Sequence, residues 1–221
     1  MAERLEAVQA RLEEAARAAD RAPEDVTLIG VTKGQPLAAV TEAVAAGLGD
    51  LGENHVQELE RRRPLAPRVR WHHLGRVQSN KARRVALVAD LVHGLEPGRA
   101  AERLAAAALE RGTSLRVLLE VDFTGRRQGV APAGVGAAVE ALRLLAGLDL
   151  AGLMTVAPPG PADAARRAFS ELRDLRDQHA PELPDLSMGM SDDFPVAIAE
   201  GATMVRIGTA IFGPRPIDEE T

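Results

Sequence analysis

Hydrophobic positions along this chain follow two alternating rhythms. Short apolar runs bounded by turn residues are separated by longer stretches in which apolar residues return every three or four positions. The first rhythm predicts strands and the second helices. Strands are predicted at 26–33, 49–53, 69–75, 90–95, 115–123, 149–157, 184–189 and 203–208, and helices at 36–47, 54–63, 79–88, 98–111, 132–146, 161–179 and 193–200. Ahead of them, residues 2–19 are charged throughout, with Leu5, Val8, Leu12 and Ala16 on one face. That pattern predicts an amphipathic N-terminal helix within residues 1–20. Pro36, Pro132 and Pro161 fall near helix starts, where a missing N–H does no harm, and Gly47 and Gly112 fall near helix ends. Eight strands alternating with helices predict one α/β domain over 1–221, a (β/α)8 or TIM barrel with an added N-terminal helix and a short acidic tail at 214–221. An open doubly wound sheet is the alternative. It is disfavoured because no Gly-x-Gly-x-x-Gly follows the first strand and no P-loop is present.

Composition narrows the function classes. The chain has no Cys, which excludes a disulfide framework, a thiolate nucleophile and cysteine-ligated zinc. The net charge of -5, with no basic stretch interleaved with aromatics, argues against nucleic acid as a partner. The run Arg61-Arg62-Arg63 reads as a solvated helix end rather than a phosphate track. No apolar run is long enough to span a membrane and the first residues do not form a signal peptide, so a cytoplasmic protein is expected. His72 and His73 must face opposite ways on a regular strand, so one points inward. No further ligands stand at metal-binding spacing, and no metal is expected.

Lysine is nearly absent: of 27 Lys and Arg residues, only Lys33 and Lys81 are lysines. Lys33 closes the first predicted strand, where an ammonium is costly unless it has a partner or a role. A neutral lysine amine forms a Schiff base with an aldehyde, which guanidinium does not do. A lysine whose stem lies along apolar surface with its head in water is the plain alternative. Lys81, at a predicted helix start, reads as solvated.

In a barrel of this kind, chemistry sits at the C-terminal strand ends. Those ends offer Lys33, then Glu53 and Asn54, His72 and His73, His93, Glu120 and Asp122, Met154 and Thr155, Ser187 to Ser191, and Arg206, Gly208 and Thr209. Small residues and hydroxyls after strands seven and eight suit a phosphate, although Gly, Ser and Thr are also ordinary turn residues. A phosphate anchor on one side and an amine on the other describe a pocket for pyridoxal 5'-phosphate (PLP). Arg206, if it faces the pyridine nitrogen, would keep that nitrogen unprotonated. A pairing of Arg206 with an acid such as Glu120 is the alternative.

Long segments carry a resemblance: Val31-Thr32-Lys33, Gly52-Glu53-Asn54-His55-Val56-Gln57-Glu58, Trp71 to Lys81, Gly152-Leu153-Met154-Thr155, Leu186 to Ser191 and Met204 to Gly213. With these the chain resembles the pyridoxal phosphate homeostasis proteins, whose barrel is like the N-terminal domain of alanine racemase (fold type III). The resemblance implies PLP as a Schiff base on Lys33, phosphate held by Ser187, Gly208 and Thr209, Asn54 near the cofactor and Arg206 near the pyridine nitrogen. It implies a carrier or buffer of PLP with no established catalytic turnover, serving apo PLP-dependent enzymes. The chain departs from the family pattern at His55, where Tyr is common, at His73, where Phe is common, and at Arg126 and Arg127, in a segment where many members carry Lys. The rival reading is a PLP-dependent amino-acid racemase. Racemisation needs acid–base groups on both faces of the cofactor, commonly Lys and Tyr, and this chain has no Tyr. It also lacks a second domain of the racemase kind, so a monomer is expected.

Overall fold

The structure, a computed structural model, describes residues 1–214. The tail expected at 214–221 therefore lies, from residue 215 on, outside the described residues. Eight parallel strands close into a barrel in sequence order: β1 Thr27–Val31, β2 Asp50–Glu53, β3 Arg70–His73, β4 Leu91–Leu95, β5 Leu115–Glu120, β6 Leu148–Met154, β7 Asp185–Ser187 and β8 Met204–Ile207. Closure is made by β1 and β8, paired from Thr27 with Met204 to Gly30 with Ile207. The N-terminal helix α1 is Ala2–Ala18 and buries Leu5, Val8, Leu12 and Ala16, the face read from the sequence. The outer ring is α2 Leu37–Ala45, α3 Val56–Arg62, α4 Ala82–Val88, α5 Arg99–Glu110, α6 Val135–Arg143, α7 Ala162–His179 and α8 Phe194–Ala199. A last short helix, α9 Thr209–Phe212, was not foreseen, because Gly208 and Thr209 read as a turn. Helix α1 packs against α8 and α9, and Arg21 beyond it donates to the carbonyls of Ile198 and Ala202 at 3.0 and 2.7 Å.

Most apolar side chains lie between the strands and the helix ring, where Trp71, Phe169 and Phe194 are fully covered. Inside the barrel a smaller set, including Ile29, Leu91, Leu118 and Met204, surrounds a group of polar residues. Several strands stop short of the apolar runs that announce them. β1 ends at Val31 rather than 33: Thr32 N–H still donates to Gly52 O, but the chain then turns, Gln35 N–H bonding Thr32 O. Gly34 holds that turn at a φ of 70°, a conformation glycine adopts without steric cost. β5 ends at Glu120 rather than 123, because the Asp122 carboxylate draws the next residues into a loop, accepting from Thr124 N–H at 2.8 Å and Arg127 N–H at 3.0 Å. Both departures occur where the chain leaves the barrel wall to build its C-terminal mouth.

Candidate functional site

A cavity of about 770 Å3 opens at the C-terminal ends of the strands, lined in part by Lys33, Asn54, Arg206, Gly208 and Thr209. Five of the six expected site residues thus meet in one place. Its size falls in the range that accommodates a small-molecule ligand. A second hollow of about 550 Å3 adjoins it and shares Arg76, Glu120 and Gln128.

Lys33 sits in the turn after β1 and is half-buried. Its loop is held from behind. Thr32 Oγ1 donates to Glu53 Oε1, and Arg62 places Nε 3.0 Å from the same oxygen while Nη2 donates to Gln35 O at 2.8 Å. Arg62 is 3% exposed, so the basic run it belongs to is not uniformly a solvated helix end. Arg61 is exposed, Arg63 pairs with Asp90, and Arg62 braces the Lys33 turn. The Nε of Arg62 meets Glu53 as an ion pair, not as a well-aligned hydrogen bond. Burial raises the Glu53 carboxyl, and the Thr32 bond and the Arg62 charge oppose that rise.

Asn54 follows β2. Its carbonyl approaches Gly75 so closely that a Cβ on Gly75 would lie 2.2 Å from the oxygen, which explains why no side chain fits there. Across the cavity, Thr209 Oγ1 and Ser191 Oγ are 3.3 Å apart, and Ala210 N–H reaches Ser191 Oγ at 3.4 Å. Thr209 and Ala210 open α9, so their N–H groups have no partner within that helix. Ser187 stands elsewhere. It is 0% exposed and its hydroxyl lies inside the barrel between His93 and Arg206, not on the cavity wall. Ser191, four residues on, is the hydroxyl that lines the cavity. The strand-end count missed this because β7 closes at Ser187 with its side chain pointing into the barrel.

Ser187 belongs to a chain of hydrogen bonds across the barrel interior. Arg206 Nη1 donates to Ser187 Oγ at 2.5 Å, and Nη2 donates to Thr155 O at 2.8 Å. His93 Nδ1 is 2.8 Å from Ser187 Oγ, His93 Nε2 is 2.9 Å from His72 Nδ1, and His72 Nε2 is 2.9 Å from Asp50 Oδ1. Arg70 closes the far end on Asp50, its Nε 2.8 Å from Oδ1. Arginine can only donate, and a carboxylate only accepts. With both imidazoles neutral, the hydrogens therefore run one way: Arg206 to Ser187, Ser187 to His93, His93 to His72, His72 to Asp50. Burial pushes His93 well below its ordinary value, helped by the charge of Arg206, which keeps its ring neutral. Burial works against an ionised Asp50, but the bonds from His72 and Arg70 and the charge of Arg70 prevail and hold it low. Arg206 is lowered to about 10 by burial, with Glu120 and Asp193 opposing, so it stays charged near neutrality. Its direct partners are Ser187 and Thr155, not Glu120, whose carboxylate takes a bond from Gln128 instead.

His73 faces the other way. Together with Val56 of α3 and Val85 of α4 it lines a recess of about 280 Å3 that also reaches Lys33 and Lys81. It is 2% exposed, and neither ring nitrogen has a hydrogen-bond partner among the described residues. Burial lowers its imidazole to about 4. The Arg76 backbone, close by but too poorly aligned to bond, opposes this, while His55 and Lys81 push the same way as burial. Sequence reading placed Lys81 in solvent; it is half-buried at the rim of this recess. The ion pairs of the described residues are made by arginine, and neither lysine takes part. No helix among the described residues is long and apolar enough to cross a membrane. Among the same residues no group of three or more His, Asp or Glu side chains is disposed to hold a metal ion.

Comparison with known proteins agrees with this architecture. Residues 4–216 match the family model for the alanine racemase N-terminal domain. A pyridoxal phosphate homeostasis protein from Pseudomonas aeruginosa is 44% identical over 97% of this chain and 96% of its own length. The solved structure of PipY from Synechococcus elongatus with PLP bound is 39% identical, covers 92% of this chain and 100% of its own, and superposes with a TM-score of 0.80. Alanine racemase from Clostridium difficile, solved with cycloserine, is 17% identical, covers 96% of this chain and 60% of its own, and superposes with a TM-score of 0.71, a likeness of fold alone. From the full-length family match and the identity to its members, the chain belongs to the pyridoxal phosphate homeostasis protein family, built on the alanine racemase N-terminal barrel.

Proposed function

We propose that this protein binds PLP in the 770 Å3 cavity as a Schiff base on Lys33 and acts as a cytoplasmic carrier and buffer of the cofactor. The observation that carries the reading is the placement of one of only two lysines on the wall of a cavity also lined by the buried Arg206. The residues suit the cofactor. The Lys33 amine has no hydrogen-bond or ion-pair partner among the described residues and is free to attack a carbonyl carbon. Ser191, Gly208 and Thr209 supply hydroxyls and backbone N–H groups for a phosphate; Ser187 is replaced in that role by Ser191. Arg206, fixed by Ser187 and Thr155, presents a guanidinium that has no proton to lose at neutral pH and so favours an unprotonated pyridine nitrogen. PLP bound here supplies an aldehyde that accepts an amine, and release needs only water or an incoming amine at an open cavity mouth. Apo PLP-dependent enzymes are the expected recipients, and a monomer is the expected working form.

The same Arg206 bears on the racemase reading. A guanidinium at the pyridine nitrogen makes the ring a weaker electron sink than an acid there would, and the chain has no Tyr to serve the second face. The deciding experiment is the visible absorption spectrum of the purified protein with PLP, before and after borohydride reduction, followed by peptide mapping. An imine band fixed by reduction onto Lys33, and lost in Lys33→Ala, is the expected result. A reduced adduct that persists in Lys33→Ala, carried by Lys81, would overturn the assignment. Racemase turnover with alanine would overturn the carrier reading while keeping the cofactor.

A further inference from the structure

Buried polar atoms in folded proteins are nearly always paired, because an unpaired one gives up its bonds to water and gains none in return. His73 breaks this pattern with both ring nitrogens at once. It does so inside the 280 Å3 recess, and no carboxylate lines that recess. Beside Val56 and Val85, the polar side chains around it are Lys33, Asn54, His55, Gln78 and Lys81, with Arg76 engaged 3.5 Å from Glu96. Both lysines of the chain line this one recess, and neither is neutralised by an ion pair among the described residues. Uncompensated positive charge beside an unpartnered N–H donor is the chemistry that receives an anion.

We propose that the recess is a carboxylate-binding subsite in which Lys81 and His73 take the acid group of a small amino acid whose amine faces Lys33. The role of Lys33 rests on the reading above, whereas the anion site does not. Three features favour a carboxylate over a phosphate. The hydroxyls and helix-opening N–H groups that suit phosphate line the larger cavity and not this recess. A planar carboxylate offers two oxygens, matching one ammonium and one imidazole N–H. An amine that reaches Lys33 as an amino acid carries its carboxylate only two bonds away, within the reach of this small recess. His73 lies on the face of β3 opposite His72, toward α3 and α4, so this site is independent of the bond chain inside the barrel.

The test is imidazole NMR of the protein, with and without PLP, titrated with acetate, glycine, methylamine and inorganic phosphate. Acetate and glycine should shift the His73 and His55 signals saturably, and methylamine should not. Lys81→Gln and His73→Phe should each weaken acetate binding at least tenfold, with His55 as reporter in the second. Phe keeps the volume of the ring, and Lys81→Gln tests the same site from its rim without touching the core. Absence of a saturable shift, or affinity unchanged in both variants, would overturn the proposal. So would phosphate saturating the recess where acetate does not. Acetate binding with no borohydride adduct at Lys33 would defeat the carrier reading and uphold the subsite. An adduct with no acetate binding would defeat the subsite alone.

Discussion

His72 and His73 are adjacent on β3 and each is 2% exposed. His72 uses both ring nitrogens, one on Asp50 and one on His93, within a chain that ends on Arg206. His73, on the opposite face, uses neither. Burial alone therefore does not tell a structural histidine from one that awaits a ligand; the state of its nitrogens does. The His72 side of the strand is a finished polar lattice that fixes Arg206. The His73 side is unfinished and opens next to Lys33.

Breaking the finished side should cost most. His72→Leu leaves the His93 Nε2–H without an acceptor and removes one donor from Asp50, two buried losses. About 3 kcal/mol of unfolding free energy should disappear, read from urea melts at pH 7. His73→Phe at pH 7 should cost nothing, and a loss as large as that of His72→Leu would erase the contrast. The next effect appears on acidification. The folded-state value of His73, about 4, lies below the ordinary 6.5. Between those values the unfolded chain binds more protons, so the stability due to neutral His73 is complete above pH 6.5 and drains away as pH falls toward 4. Between pH 7 and 5 it should amount to about 2 kcal/mol, and His73→Phe should flatten that part of the pH profile, followed as the urea midpoint. His93, lowered by burial, adds a slope of the same sign that the Phe variant retains.

Gly75→Ala sharpens the boundary between the two sides. The new methyl would meet Asn54 O at 2.2 Å, so the cavity wall must shift. A loss of roughly 1–3 kcal/mol is expected, with weaker PLP retention in dialysis; a fully stable variant would show that the wall yields freely. At the bottom of the scale, Arg17→Ala removes an exposed pair with Glu13 at 2.8 Å and should change the melting free energy by less than about 0.5 kcal/mol.

The barrel itself was legible in the sequence because strands buried on both faces leave apolar runs at regular intervals, and the buried face of α1 was plain because Leu5, Val8, Leu12 and Ala16 recur at helical spacing in a charged stretch. Lys33, Asn54, Arg206, Gly208 and Thr209 line one cavity because strand ends in a barrel converge, which the sequence pattern implies. Ser187 was misplaced because counting to a strand end does not say which way the last side chain points. Arg62 was hidden among three arginines that look alike in sequence but are separated by 100° steps around a helix. His73 as an unpartnered group was not legible at all, since alternation says that it faces away from His72 but not what it meets there.

Among the described residues arginine supplies the cationic partners in the ion pairs, and lysine none. An aldehyde is an indiscriminate electrophile: any exposed lysine will capture it for a time. A coat of guanidinium groups gives the protein its surface pairings without offering such traps. In the proposed carrier of a reactive carbonyl, this chemically quiet exterior leaves the only two side-chain amines on the walls of one small recess.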